Sequence, residues 1–472
     1  MPRTFVRRAP AAMATLLLTL TAACATGEDR SSPPTAAQDG QGDGRVELPP
    51  FDVVRTTPLS AGDNDRLLGA AFDGQNRLYG AGFVASGADQ AMAVARFGPG
   101  GGLDPSFGNN GVASTNVAAG GKAAELARGV VVQPDGKVVI SGPIEHDPAA
   151  GGDAARDTDI ALARFDQDGR LDPTFGTGGV VRLDLSTGVA DGTAFRGDTA
   201  WGLTGLRDGR LVVVGAQVGP GEGRKDVDFA VVRLNADGSR DSGFGRGGVA
   251  LVGVGPNVSE TPKTAVELAD GRLVVAGYAN VDGIVKIVLF RLTPQGALDP
   301  AFGTNGVAVT QLLGNVTEAY AVARAGNRLV TTGYGKDTAE AKVDLVAGGF
   351  TANGALDTTF GANGVARVDV SGEDDRGRHV VALADGGLLM VGSGKPSATN
   401  LDAMVVKLTA TGAPDPSFGP GGRRLFDIGG PNDSFFGAAV SPDGSRVAVV
   451  GYLGQDPAGS ARDDSAVLWL RP

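Results

Sequence analysis

Cysteine and histidine are nearly missing: the 472 residues hold one cysteine and two histidines. That excludes a disulfide framework and any multi-cysteine zinc or iron–sulfur site. It also leaves a histidine-built catalytic or metal centre almost nothing to draw on. Aromatics are sparse, at 6 %. An excess of positive charge is lacking too. The formal charge is −11, whereas a phosphate-binding surface needs clustered Lys and Arg, so no nucleic-acid partner is expected. The apolar stretch Ala9–Leu20 is too short to span a bilayer comfortably as a helix. Glycine, by contrast, is plentiful: 76 residues, about twice the usual share. No Gly-X-Y period exists, which excludes collagen. With 42 % apolar residues in recurring valine-rich runs, most of the chain is not disordered. Abundant glycine among short apolar runs reads as many strands joined by many tight turns.

The N-terminus has three parts: the basic Arg3, Arg7 and Arg8, the apolar stretch centred on Leu16, Leu17, Leu18 and Leu20, and Thr21-Ala22-Ala23-Cys24. This is the layout of a secretory signal peptide. Residues 25–45 are rich in Gly, Ser, Pro, Ala, Asp and Gln and hold too few bulky apolar side chains to join a core. They read as a flexible tether.

The remainder repeats itself. Leu103-Asp104-Pro105-Ser106-Phe107-Gly108 recurs with variation at Asp172/Phe175, Asp241/Phe244, Asp299/Phe302, Asp357/Phe360 and Asp415/Phe418. The phenylalanines are spaced 68, 69, 58, 58 and 58 residues apart, which calls for a repeat architecture. Between the copies lies a second phrase, such as Asp135-Gly136-Lys137-Val138-Val139-Ile140. It runs from Asp73-Gly74 to Asp443-Gly444 in seven copies, the fifth altered to Gly326-Asn327. Asp-Gly between apolar runs is a strong hairpin signal, because glycine accepts positive φ without a Cβ clash. Each unit then reads as four strands in roughly 60 residues, a propeller blade. The long phrase is one copy short at the ends. Ser465–Leu470 matches a third strand and Phe51–Thr56 a fourth. The expected fold is therefore all-β: a seven-bladed propeller of four-stranded antiparallel blades, closed by an N-terminal strand that completes the last blade.

These phrases resemble the delta-60 repeat, a bacterial repeat of β-propeller form, over about residues 51–472. The strand order is similar to propellers of the NHL type. Thr21-Ala22-Ala23-Cys24 resembles the lipobox of bacterial lipoproteins, although the family's usual Leu three residues before the cysteine is Thr21 here. The resemblance implies a leader at 1–23, diacylglyceryl transfer to Cys24, a tether at 24–50 and a propeller at 51–472. It implies an exported, membrane-anchored address on the extracytoplasmic side of a bacterial envelope (or secretion, if Cys24 is incidental). It implies no established activity and no catalytic residues.

The residues themselves add little chemistry. Asp104, Asp172, Asp241, Asp299, Asp357 and Asp415 read as turn carboxylates accepting nearby backbone N–H groups, spread around the ring rather than converging. Phe107, Phe175, Phe244, Phe302, Phe360 and Phe418 read as packing between blades. A second set, Asp159, Asp228, Asp344, Asp402 and Asp464, falls where long variable loops such as Pro143–Thr158, Ser186–Thr199 and Gln217–Val227 enter third strands. Such a loop face is the usual place for binding. A cationic partner, a peptide or calcium is conceivable there, although no EF-hand pattern is present. Trp201 and Trp469 read as core or strand-packing residues, and His146 and His379 as lone surface or packed histidines. No Gly-x-Ser-x-Gly, Walker or His-Glu-x-x-His motif stands in a fitting context. No cofactor is expected. The reading is a monomeric, non-catalytic binding or scaffold protein presenting loops to an envelope or extracellular protein or glycan. The alternative is a metal-dependent, hydrolase-like enzyme working in the central channel.

Overall fold

The computed structural model describes residues 51–472 except 61–63, 88, 119–124, 147–150 and 455–461. Cys24, the leader and the tether lie outside the described residues. Among the described residues the only helical elements are two short 3-10 turns, Gly152–Arg156 and Pro420–Gly422; all else is strand, turn and loop.

One sheet shows the unit. Gly129–Val132, Val138–Glu145, Thr158–Phe165 and Val180–Leu183 pair antiparallel in chain order. Three further sheets, at 65–115, 199–252 and 375–426, repeat that order. The sheet at 260–368 holds eight strands: two such runs joined through one parallel pair, Val285↔Val316. The last sheet takes Ser434–Val440, Val447–Leu453 and Asp464–Leu470, and its fourth strand is Val54–Thr56, from the other end of the chain. Leu67, Leu78 and Phe97 of the first sheet share one apolar cluster with Val450, Val467 and Trp469 of the last. The third strands are buried nearly throughout, as in Val227–Leu234, because neighbouring sheets cover both of their faces.

The segment 186–199, read from sequence as an open loop, carries a small hairpin, Val189–Asp191 against Ala194–Arg196. The loops also start later than the sequence suggests. Pro143 and Ile144 are still in a strand that runs to Glu145, and Gln217 is in one that runs to Val218.

The long phrase is a clamp between consecutive sheets. Asp299 Oδ1 accepts the Ala301 N–H at 3.1 Å, closing its turn. Its Oδ2 accepts from Arg291 Nε at 2.8 Å and from Arg272 Nη1 at 2.7 Å. Arg291 also donates Nη1 to the Ala352 carbonyl of the following unit at 2.6 Å, and its guanidinium lies 5.0 Å from the Phe302 ring centre. Phe302 is fully buried beneath the turn at Gly354. That glycine has φ +84°, and a Cβ there would come within 2.6 Å of the ring; only glycine fits. The Gly303 N–H completes the grip on the Asn353 carbonyl at 2.9 Å. The pattern recurs with Arg96, Arg164 and Arg233. Where the third strand has Gly349 instead, Arg328 on the adjacent strand reaches Asp357 at 2.7 Å and the Ala410 carbonyl at 2.7 Å.

Candidate functional site: the central channel

At or just ahead of the start of the strand that opens each unit lies a buried polar residue: Asp65, Glu125, Asp198, Glu260, Thr317, Asp375 and Asp433, none more than 2 % exposed. Each accepts N–H groups from the loop that enters its strand. Asp375 takes Val370 N at 2.6 Å, and its Ser371 partner donates both N and Oγ. Asp433 takes Ile428 N at 2.7 Å, Glu260 takes Val254 N at 2.8 Å, and Thr317 Oγ1 takes Leu313 N at 3.2 Å. Burial pushes Asp198 up to about 7, Glu260 to about 8 and Asp433 to about 6, and raises Glu125 and Asp375. These residues fix where each opening strand starts.

Three positions further on, the strand bulges. The register against the second strand skips Leu68, Trp201, Lys263, Tyr320, Arg378 and Phe436. Arg128 occupies the matching place just before Gly129–Val132. A bulge re-aims its side chain out of the sheet. Glycine after the bulge lets adjacent opening strands close up: a Cβ on Gly202 would lie 2.5 Å from the Lys263 carbonyl.

All seven of these residues line one cavity of about 320 Å³, together with Arg66, Leu126 and His379 among others. After Leu68, the other six alternate cation and aromatic in chain order. Arg128 lies 3.8 Å and Lys263 Nζ 3.1 Å from the Trp201 ring centre. Lys263 Nζ is 4.0 Å and Arg378 4.7 Å from Tyr320, and Arg378 is 5.1 Å from Phe436. Such contacts are attractive because the ring faces are electron-rich. They do not replace lost hydration: Lys263 is 2 % exposed and its Nζ has no hydrogen-bond partner, like Arg378 Nε and His379 Nδ1. Burial and the neighbouring Arg128 and Arg378 push the Lys263 ammonium down to about 6, against the pull of Glu318. Burial likewise takes His379 down to about 4 and Arg128 to about 10.

The residues singled out from sequence lie elsewhere. The six clamp aspartates sit one per unit at the outer turns, each in an Asx geometry such as Asp104 with Ser106 N at 3.0 Å. The second set is also dispersed. Asp159 pairs with His146 Nδ1 at 3.0 Å, Asp228 with Arg224 at 2.7 Å, Asp344 with Arg367, and Asp402 accepts from Asn400 at 2.5 Å. Asp464 opens the third strand of the last sheet, its carboxyl raised by burial. Among the described residues two groupings have metal-ligand spacing, His146–Asp159–Asp184 and Asp344–Asp369–Asp375. In both an arginine already sits on the central carboxylate, Arg182 on Asp159 and Arg367 on Asp344.

Trp201 corrects the sequence reading: it is no core residue but part of the channel wall, unlike Trp469, which is 1 % exposed in the shared apolar cluster. Sequence reasoning missed the channel ring, although its members do recur three residues after the buried acid.

Three stretches, 133–175, 206–244 and 268–302, match the family model described as "Domain of unknown function (DUF5122) beta-propeller". No curated protein matches. Among solved structures, the polysaccharide lyase Uly1 aligns at 12 % identity over 92 % of this chain and 94 % of its own, with TM-score 0.51. A protein of unknown function from Dyadobacter fermentans aligns at 12 % identity over 89 % and 100 %, TM-score 0.42. The periplasmic gluconolactonase of Pseudomonas aeruginosa aligns at 17 % over 86 % and 96 %, TM-score 0.40. At these identities the likeness concerns fold alone: an all-β chain of four-stranded antiparallel sheets of β-propeller type.

Proposed function

We propose that this chain is an exported, lipid-anchored binding protein: a seven-bladed propeller of delta-60 type, closed by its N-terminal strand, that recognises a small molecule in its central channel. The observation that carries the binding role is the alternating ring of Arg128, Trp201, Lys263, Tyr320, Arg378 and Phe436 around one cavity. Aromatic faces and fixed cations at the centre of a rigid scaffold are recognition groups. This moves the expected binding surface from the loop face to the channel. The alternative of a metal-dependent hydrolase needs several carboxylates on the channel wall, and the ring supplies cations and aromatics in their place. Closure is supported by the pairing of Val54–Thr56 with Asp464–Leu470 and by the core shared between first and last sheets.

A ligand that binds the folded state alone raises its melting temperature. A screen of sugars, amino acids, organic acids and phosphate esters is expected to yield compounds that do so for the intact protein and fail with Trp201→Ala. If every stabilising compound acts equally on the variant, the channel is not the site. The anchor is tested separately. Two or more acyl chains hold a protein stably in a membrane, so Cys24→Ala is expected to move the protein from the membrane to the soluble fraction. Retention in the membrane would remove the lipid from the proposal.

A further inference from the structure

We infer that the channel ligand is an organic oxyanion, a carboxylate or phosphate ester on a small body, held by Lys263 between Arg128 and Arg378 with its body against Trp201 and Tyr320. This rests on the reading of the channel as a binding site. Three cationic side chains converge on a cavity of about 320 Å³, room for a molecule of monosaccharide or amino-acid size. The groups that face Lys263 are Arg128, Arg378 and Glu318, the Tyr278 and Tyr320 rings and Trp201. Arg66, also on the wall, is already engaged by Asp463, and His379 is held neutral by burial. Among the described residues Glu318 is the one carboxylate acting on Lys263 there, against three basic side chains.

A buried ammonium without a hydrogen-bond acceptor is costly, and three like charges around one cavity add repulsion. An oxyanion relieves both. Its oxygens accept from Lys263 Nζ and the two guanidinium groups, and its charge restores the protonated lysine. Burial and repulsion push the Lys263 ammonium down to about 6, so at neutral pH much of it is unprotonated. An arriving anion then draws in a proton. Binding is expected to tighten as pH falls from 8 toward 6, as Lys263 gains its proton. The aromatic faces between the cations prefer a ligand with a ring or a patterned C–H face over a bare inorganic ion.

The test is calorimetric titration of the purified full-length protein with sodium phosphate, acetate, citrate, glucose 6-phosphate and glucuronate, with glucose as the uncharged control, each in two buffers of different ionisation enthalpy. The expected result is saturable binding of the organic anions, accompanied by proton uptake at pH 7. Lys263→Met and Arg378→Met should each weaken it on the order of thirtyfold or more. Lys263→Arg should keep the binding and lose the proton uptake, because its guanidinium does not titrate. Phosphate esters against carboxylates then tells which oxyanion the channel prefers. Anion binding that survives both methionine variants in folded protein would place it on the surface and overturn the inference. So would the absence of any anion binding. If glucose or another neutral compound still stabilises the protein through Trp201, the channel reading stands and only its anionic ligand is lost. If neither class binds, both fall.

Discussion

A chain lacking residues 45–60 is expected to melt far below the intact one, by much more than the loss of sixteen surface residues would cause. The segment supplies the strand Val54–Thr56, whose partners are Leu468, Val467 and Ala466. Asp52 N and Thr57 N add bonds to the Trp469 and Ser465 carbonyls at 2.8 and 2.7 Å. Leu59 N and Ser60 N both donate to Asp65 Oδ2, at 2.9 and 3.1 Å, while Asp65 Oδ1 accepts Ser465 N and Oγ. Asp65, fully buried, thus ties the incoming segment, the first sheet and the last sheet at one point. Deletion takes away a strand of backbone bonds at about 1 kcal/mol each and strips donors from a buried carboxylate at about 1–3 kcal/mol each. The sum is on the order of 5–10 kcal/mol, comparable to the whole stability of many domains. It also bares Asp464–Leu470 as an apolar edge, inviting aggregation. Denaturant melts of the two proteins read the difference directly. An unchanged midpoint would show that the N-terminal strand does not hold the last sheet, and ring closure would go with it.

The architecture was legible because it is written in residues whose choice is narrow. A Cβ on Gly354 would strike the Phe302 ring, and Gly136 sits at φ +81° where the first unit has Asn76 at +59°, so such residues recur at the repeat period and expose it. Asp299 recurs for a related reason, since its carboxylate closes a turn and holds Arg291 at once. The arginine half of that clamp was overlooked although it stands eight residues before four of the six aspartates, as Arg96 before Asp104, with Gly349 and Lys407 in that place before Asp357 and Asp415. It lies inside an apolar strand where a charge looks incidental until its buried partner is seen.

The channel was not legible from the same signal. Its seven members occupy equivalent positions, yet they are Leu68, Arg128, Trp201, Lys263, Tyr320, Arg378 and Phe436. A repeat is found by what its copies share, whereas this cavity is lined by where they differ. The buried acids that place those residues were partly visible. Asp65, Asp198, Asp375 and Asp433 share a type, but Glu125, Glu260 and Thr317 break the pattern. The net charge of −11 spoke against a nucleic-acid partner and the acid-rich loops pointed toward a cationic one; neither signal points to the cations around the cavity. Trp201 was assigned to the core because a lone tryptophan usually belongs there. Only the bulge at Ala200/Gly202 turns it into the channel, and a bulge of one residue leaves no mark on a hydrophobic pattern.

The ring of buried acids makes a second large effect measurable: stability is expected to peak in mildly acid solution and to fall as pH rises toward 8. Asp198, Glu260 and Asp433 have folded-state values of about 7, about 8 and about 6, above the roughly 4 of an unfolded carboxyl. A group raised in this way binds its proton more tightly when folded. Its contribution is therefore fully present below about pH 4 and is lost as pH climbs through the folded value. Asp357 and Asp443 work in the other direction. The Thr359 and Ser441 hydroxyls, with nearby arginines, hold both down to about 2. Their contribution exists above about pH 4 and disappears below it. The two trends cross between about pH 4 and 6, where the maximum belongs. On the alkaline side, Glu260 and Asp198 together cost the fold on the order of 5 kcal/mol between pH 5 and 8. Glu260 gives the sharper test because burial is joined by the adjacent Asp228 and Asp226 charges. In Glu260→Gln the side chain stays polar and neutral at every pH, so the variant should gain on the wild type as pH rises and its stability curve should be flatter from pH 6 to 8. Parallel curves for the two proteins would show that Glu260 is ionised at neutral pH, with the Val254 N–H outweighing the cost of burying the charge.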